Sequence, residues 1–224
     1  MRSFLLGAER EGAFNIPFKV ERGGGPSIPY RQVEWVKVAC SWSSGSYFVM
    51  MTDFGMDCGF EITADWSTYL SYEGNRLFYR LFSGWKNDGG YGVISGYNYI
   101  HGNTNQRPAG LNLANVGGVA TLSFNLANDA QIKLDGVKTA DIVTAQTSAT
   151  GPLFIGMNTN NNNATLGYGY TLAFSSIKVS RGTEIVSDCV AVDDGTGRGA
   201  LWDKVTESLI NATPGGTVEI GPYI

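Results

Sequence analysis

A chain of 224 residues that is 43% hydrophobic and 16% charged is long and apolar enough to bury a complete core in a single domain. Sixteen Lys and Arg against 20 Asp and Glu leave a formal charge of -4 with no basic run, which argues against a surface that tracks nucleic-acid phosphates. No apolar run approaches the roughly 20 residues that a membrane-spanning helix needs.

Thirty glycines, 11 tyrosines and 11 phenylalanines favour short strands joined by tight turns, and no segment keeps a helical period. At the N-terminus, Arg2 supplies one positive charge, but Glu9 interrupts before a signal-peptide core is complete, so synthesis in the cytoplasm without export is expected. Residues 1–29 read as an arm and hinge. Phe14, Ile16, Phe18 and Val20 alternate with polar residues as an edge strand would, Pro17 removes a ladder donor, and Gly23-Gly24-Gly25-Pro26-Ser27-Ile28-Pro29 forms a hinge and spacer. These four apolar residues are the candidate assembly contacts, either with the chain's own sheet or with a neighbouring subunit, since a bare apolar edge invites a partner.

The domain proper is expected over residues 30–224. Strands are suggested at 30–36, 57–66, 77–82, 91–97, 119–125, 130–137, 153–157, 168–181 and 184–192. Asp135-Gly136 between apolar flanks is a two-residue hairpin signal, because a type I′ turn needs positive φ at both central positions. Two antiparallel sheets packed face to face satisfy this pattern without helices. Trp35, Phe60, Leu122, Phe124, Phe154, Leu172, Phe174 and Trp202 are expected to contribute to the core or to its edge.

Two ends of this domain carry a resemblance. Tyr30-Arg31-Gln32-Val33-Glu34-Trp35-Val36 is followed by a Ser-Gly-aromatic step at Ser44-Gly45-Ser46-Tyr47-Phe48. The closing segment reads Asp193-Asp194-Gly195-Thr196-Gly197-Arg198-Gly199, then Leu201-Trp202-Asp203-Lys204-Val205, and ends near Gly221-Pro222. Together they resemble the concanavalin A-like, laminin-G-type jelly-roll domains found in phage virion proteins and gut-bacterial surface proteins. The resemblance implies an all-β, two-sheet antiparallel jelly-roll sandwich and a binding or structural module rather than an enzyme. It implies no metal at Asp193-Asp194-Gly195, which also lacks the spaced oxygen ligands of a calcium loop.

Few residues suggest chemistry. A retaining glycosidase needs two carboxylates ~5 to 5.5 Å apart, and the nearest strand pattern, Glu61-Ile62-Thr63-Ala64-Asp65, lacks a third acid and reads as a solvated face. His101 is the only histidine and no Gly-x-Ser-x-Gly elbow accompanies it. No catalytic residue, metal or cofactor is therefore expected. Tyr97, Tyr99, His101, Asn103, Asn105 and Arg107, read as one polar loop, form the candidate glycan contact, because rings stack on sugar C–H faces while amides and cations hydrogen-bond hydroxyls. Asn158 to Asn163 reads as a turn between core strands. Cys40, Cys58 and Cys189 are odd in number and lack CxxC spacing, so they are expected as small core residues. Trp202 is expected to pack and Asp203 to cap a turn.

These readings lead to a non-enzymatic structural virion protein of a phage, a capsid decoration or tail/fibre module. It would be held through its arm by other virion proteins or copies of itself as a homo-oligomer, with cell-surface glycan as a further partner. The alternative is a carbohydrate-binding module at a bacterial surface.

Overall fold

The computed structural model describes residues 27–39, 45–55, 57–71, 80–86, 89–94, 97–101, 116–125, 127, 131–141, 143–144, 151–158, 168–213 and 218–224. Among these the chain is all-β and contains no helix. Apart from one short parallel pair, every strand pairing is antiparallel.

The larger sheet is organised around β13 (Tyr168–Arg181). One edge of β13 pairs with β3 (Cys58–Ser71), and beyond it lie β7 (Val119–Asn125), β8 (Gln131–Leu134) and β9 (Val137–Asp141). The other edge pairs first with β1 (Val36–Ala39) and then with β14 (Glu184–Asp193), followed by β15 (Gly199–Asp203) and β16 (Ser208–Asn211). β17 (Glu219–Ile220) closes on β1, and β12 (Met157–Asn158) on the start of β13. The opposing layer contains β2 (Phe48–Phe54) paired with β11 (Gly151–Ile155), and the set β4 (Arg80–Lys86), β5 (Gly89–Ile94), β6 (Tyr97–His101) and β10 (Val143–Thr144), with β4 alongside β11.

Alternation decides which face of each strand is buried. β7 turns Ala120, Leu122 and Phe124 inward and leaves Thr121 and Ser123 outside, while β3 buries Phe60, Ile62, Ala64 and Trp66. β13 changes parity partway, from Leu172 and Phe174 to Ile177 and Val179, and the change falls where Phe174 opposes Ala64 but Ser176 opposes Thr63. The single extra residue, Ser175, is a β-bulge that keeps the apolar side chains on the core side. The layers meet through edge-to-face aromatic pairs, Phe48 with Phe174 at 5.9 Å and Phe54 with Phe124 at 6.4 Å between ring centroids.

Asp135 (φ 48°) and Gly136 (φ 79°) form the expected two-residue turn between β8 and β9. Asp135 Oδ1 also accepts from the Thr121 amide at 2.8 Å, tying the turn to β7. Of the expected core residues, Phe60, Leu122, Phe124, Leu172 and Phe174 lie in the main core and Phe154 packs with Tyr47 in a small satellite. Trp202 belongs to a separate cluster with Val192 and Ala200, because its register position on β15 points away from the inter-sheet core. Trp35 is half-buried with its ring over Gly221, where a Cβ would sit 2.7 Å from the indole. The expected strand at 30–36 is instead two isolated bridges at Gln32 and Val33, and regular pairing starts at Val36.

Phe174→Ala is expected to cost about 3–5 kcal/mol of stability, whereas Val137→Ala, at an exposed position, should stay within about 0.5 kcal/mol. Urea denaturation of the two variants against wild type checks the contrast.

Candidate functional site

The candidate assembly residues Phe14, Ile16, Phe18 and Val20 lie outside the described residues, as do Asn103, Asn105 and Arg107 of the expected glycan loop. Tyr97, Tyr99 and His101 are not in a loop: they occupy β6, paired with β5 over its whole length. The dense polar composition concealed a strand, since ladder hydrogen bonds between backbones do not depend on side-chain polarity. The three residues sit at alternate positions of the strand.

Glu61 lies opposite Lys178, 3.6 Å from its ammonium. Asp65 serves the backbone instead. Its Oδ1 accepts from the Ser67 amide at 3.0 Å and hydroxyl at 2.6 Å, and Thr68 Oγ1 donates to its carbonyl, so the group closes an irregular step in β3 opposite Ala173. Asp203 is a turn-capping acid, accepting from the Val205 and Asp188 amides at 3.0 Å each. Among the described residues no group of three or more His, Cys, Asp and Glu is placed to hold a metal ion.

Asp193 and Asp194 build a corner where both ends of the described chain meet. Asp193 Oδ1 accepts from the Gly195 and Gly197 amides at 2.8 and 2.9 Å, and Oδ2 accepts from the Tyr223 hydroxyl at 2.7 Å. Arg31 lies 3.6 Å over the Tyr223 ring, a cation–π distance, and its carbonyl accepts from the Asp193 amide at 2.9 Å. Glu34 N donates to Pro222 O, and Gly221 N to Trp35 O, both at 2.8 Å, continuing the seam. The Tyr223 hydrogen bond and the two glycine amides hold the Asp193 carboxyl below the usual carboxylate value, and the same bond raises the Tyr223 phenol. For Asp194, burial works upward, but hydrogen bonds from Thr196 and the Arg198 amide outweigh it and the carboxyl ends low.

The second feature is a polar array on the outer face of β13, β3, β7 and β8. Strand register places Lys178, Glu61, Ser123 and Lys133 in one row across the four strands. The adjacent row is Ser180, Gly59 and Asn125. Here glycine is required by close approach, since a Cβ would lie 2.5 Å from Ser180 Oγ and 2.9 Å from Asn125 Nδ2. Ser180 and Asn125 fill the space that a side chain would need there, and a cavity of 180 Å³ lies over the two rows. On the other side of the ion-pair row, Thr63 and Thr121 share a 2.9 Å hydroxyl–hydroxyl hydrogen bond. The donors and acceptors present suit a polyhydroxylated or charged ligand.

Neither protein-family models nor curated proteins nor solved structures match the chain. The chemistry of the site is therefore carried by its own residues. Each outward position of the array was readable as the polar half of an alternating strand. Its assembly was not, because register joins residues up to 121 positions apart, from Gly59 to Ser180.

Cys58 and Cys189 are free and buried, and burial pushes the Cys189 thiol up to about 12 and Cys58 upward as well. Cys40 lies outside the described residues. In native protein at mildly alkaline pH, Cys58 and Cys189 should resist a thiol reagent and react once urea is added, as peptide mapping by mass spectrometry would show.

The Asp193 contribution carries a defined sign. A carboxyl whose folded pKa is depressed adds stability above its unfolded value of about 3.9, and this is lost as pH falls through the folded value. Asp193→Asn should therefore lower the urea midpoint at neutral pH, and the gap to wild type should close in acid. A gap that stays constant between neutral pH and about pH 2 would remove the carboxylate from the account.

Proposed function

We propose that the chain is a non-enzymatic structural module of a phage virion, a capsid decoration or tail/fibre element, whose body is a concanavalin A-like jelly roll. Residues 1–22 attach it to other virion proteins or to copies of itself, with Phe14, Ile16, Phe18 and Val20 as the contacts. The observation that carries this reading is the root of the arm. Ile28 and Tyr30 pack on the cluster of Val192, Ala200 and Trp202, with the Tyr30 ring 5.5 Å from that of Trp202, and Arg31 is bound into the corner beside them. A segment entering here starts from a fixed point on the outer face of the large sheet, and any load on it passes directly into β14 and β15.

A second reading, glycan capture by a module at a bacterial surface, is favoured by the alternate placement of Tyr97, Tyr99 and His101 along β6. Aromatic and imidazole groups are the residue types suited to a sugar ring.

Deleting residues 1–22 should leave a folded domain with an unchanged urea midpoint that no longer oligomerises or enters particles. Light scattering and co-purification with virions provide the measurement. Incorporation of the truncated chain at wild-type occupancy would reduce the arm to a tail.

A further inference from the structure

We propose that the cleft between β2 and the ends of β13, β14, β15 and β16 binds a linear aliphatic primary amine, with its ammonium on the Asp203 carboxylate and its hydrocarbon chain along the apolar wall. The cleft is a cavity of 340 Å³, within the roughly 300–1,000 Å³ of small-molecule sites. Alternation along the strands explains why a carboxylate lies in it. On β15, Leu201 faces the inter-sheet core and Trp202 the outer cluster, so Asp203 returns to the inner side at the end of the strand. β14 reaches the same place through a bulge. Val179 opposes Ser187 and Ser180 opposes Ile185, which leaves Val186 as the extra residue, and both Val186 and Ser187 line the cavity. The exposed Thr206 and Ser208, whose hydroxyls share a 2.7 Å hydrogen bond, line its outer end.

Asp203 is 3% exposed, and its hydrogen bonds leave one oxygen unused. Oδ1 accepts from the Asp188 and Val205 amides, and among the described residues no donor reaches Oδ2. The adjacent Lys204 does not neutralise this carboxylate, because its ammonium is paired with Asp188 at 2.8 Å. A desolvated carboxylate with a free oxygen favours a ligand that brings both a positive charge and N–H donors. The desolvation penalty that usually offsets a buried ion pair is here borne in part by the fold, which already holds the acid out of water.

The rest of the lining narrows the class. Val49, Met50, Met51, Val179, Val186 and Ile210 present hydrocarbon and thioether, and the unbranched methionines adapt to a flexible chain. Among the described residues no aromatic ring lines the cavity, so the cage that holds a quaternary ammonium is missing. The N–H donors of a primary ammonium instead match Asp203 Oδ2 and the Ser187 hydroxyl. The cleft lies on the inner side of β14 and β15, whereas Ile28 and Tyr30 pack on their outer face. Its test is therefore independent of the arm and of β6.

The full-length chain labelled with ¹⁵N would be titrated at neutral pH, where an alkylamine is protonated, with hexylamine, 1-hexanol and hexyltrimethylammonium in turn, following backbone amides by NMR. Hexylamine should give saturable shifts at 49–51, 179, 186–187, 203 and 206–210. The other two should bind at least about tenfold more weakly, equivalent to about 1.4 kcal/mol. Asp203→Asn keeps an oxygen for the two amides and removes the charge, so it should bring hexylamine down to the affinity of hexanol. Val186→Phe fills the cavity from a half-buried position and should weaken both ligands at least about tenfold. It keeps the proposal testable if the Asp203 variant does not fold. Unmoved amides at millimolar hexylamine, shifts centred on Glu61 and Lys178 instead, equal affinity for hexanol or hexyltrimethylammonium, or unchanged affinity in folded Asp203→Asn or Val186→Phe would each overturn the proposal.

Discussion

Backbone hydrogen bonding along both edges of β13 is the constraint on which the rest of the molecule depends. This strand of 14 residues runs through the middle of the larger sheet, and each buried amide and carbonyl needs a partner. β3 supplies one edge over most of its length, while β1 and β14 divide the other between them. That division brings the N-terminal segment, the C-terminal segment and the β14–β15 turn to one place. The bulge at Ser175 is a consequence of the same constraint. Without the extra residue, Ile177 and Val179 would face solvent and Ser176 and Lys178 would face Phe48 and its neighbours.

The corner formed by Arg31, Asp193 and Tyr223 ties together three segments that are far apart in the sequence. Here one carboxylate shapes the turn after β14 through two glycine amides and also holds the Tyr223 hydroxyl, so the turn and the seam with Tyr223 rely on the same charge. Packing of Ile28 and Tyr30 on Trp202 extends the seam over the outer face.

The outer array illustrates a different use of the sheet. A ladder fixes its outward side chains at regular intervals at no cost beyond that of the fold itself, so polar groups from distant parts of the sequence acquire a rigid pattern. Gly59 is the position where that pattern is interrupted. Its lack of a Cβ lets Ser180 and Asn125 approach from either side.

Local physics was legible in the sequence. The all-β class followed from alternation and composition. The Asp135-Gly136 turn followed from its need for positive φ, and burial of Phe60, Leu122, Phe124, Leu172 and Phe174 from strand periodicity. The turn-capping role of Asp203 was legible for a similar reason, because a short carboxylate reaches nearby amides wherever the chain turns. The strand at Tyr97–His101 was misread as loop, since composition reports what side chains prefer and not which backbone lies alongside. Tertiary structure alone decided the rest: the outward placement of Trp202, the Ser175 bulge, the meeting of Arg31 with Tyr223, and the row from Lys178 to Lys133. Each depends on register between strands far apart in the chain, and register is set by the packing of the whole sheet rather than by any short stretch of sequence.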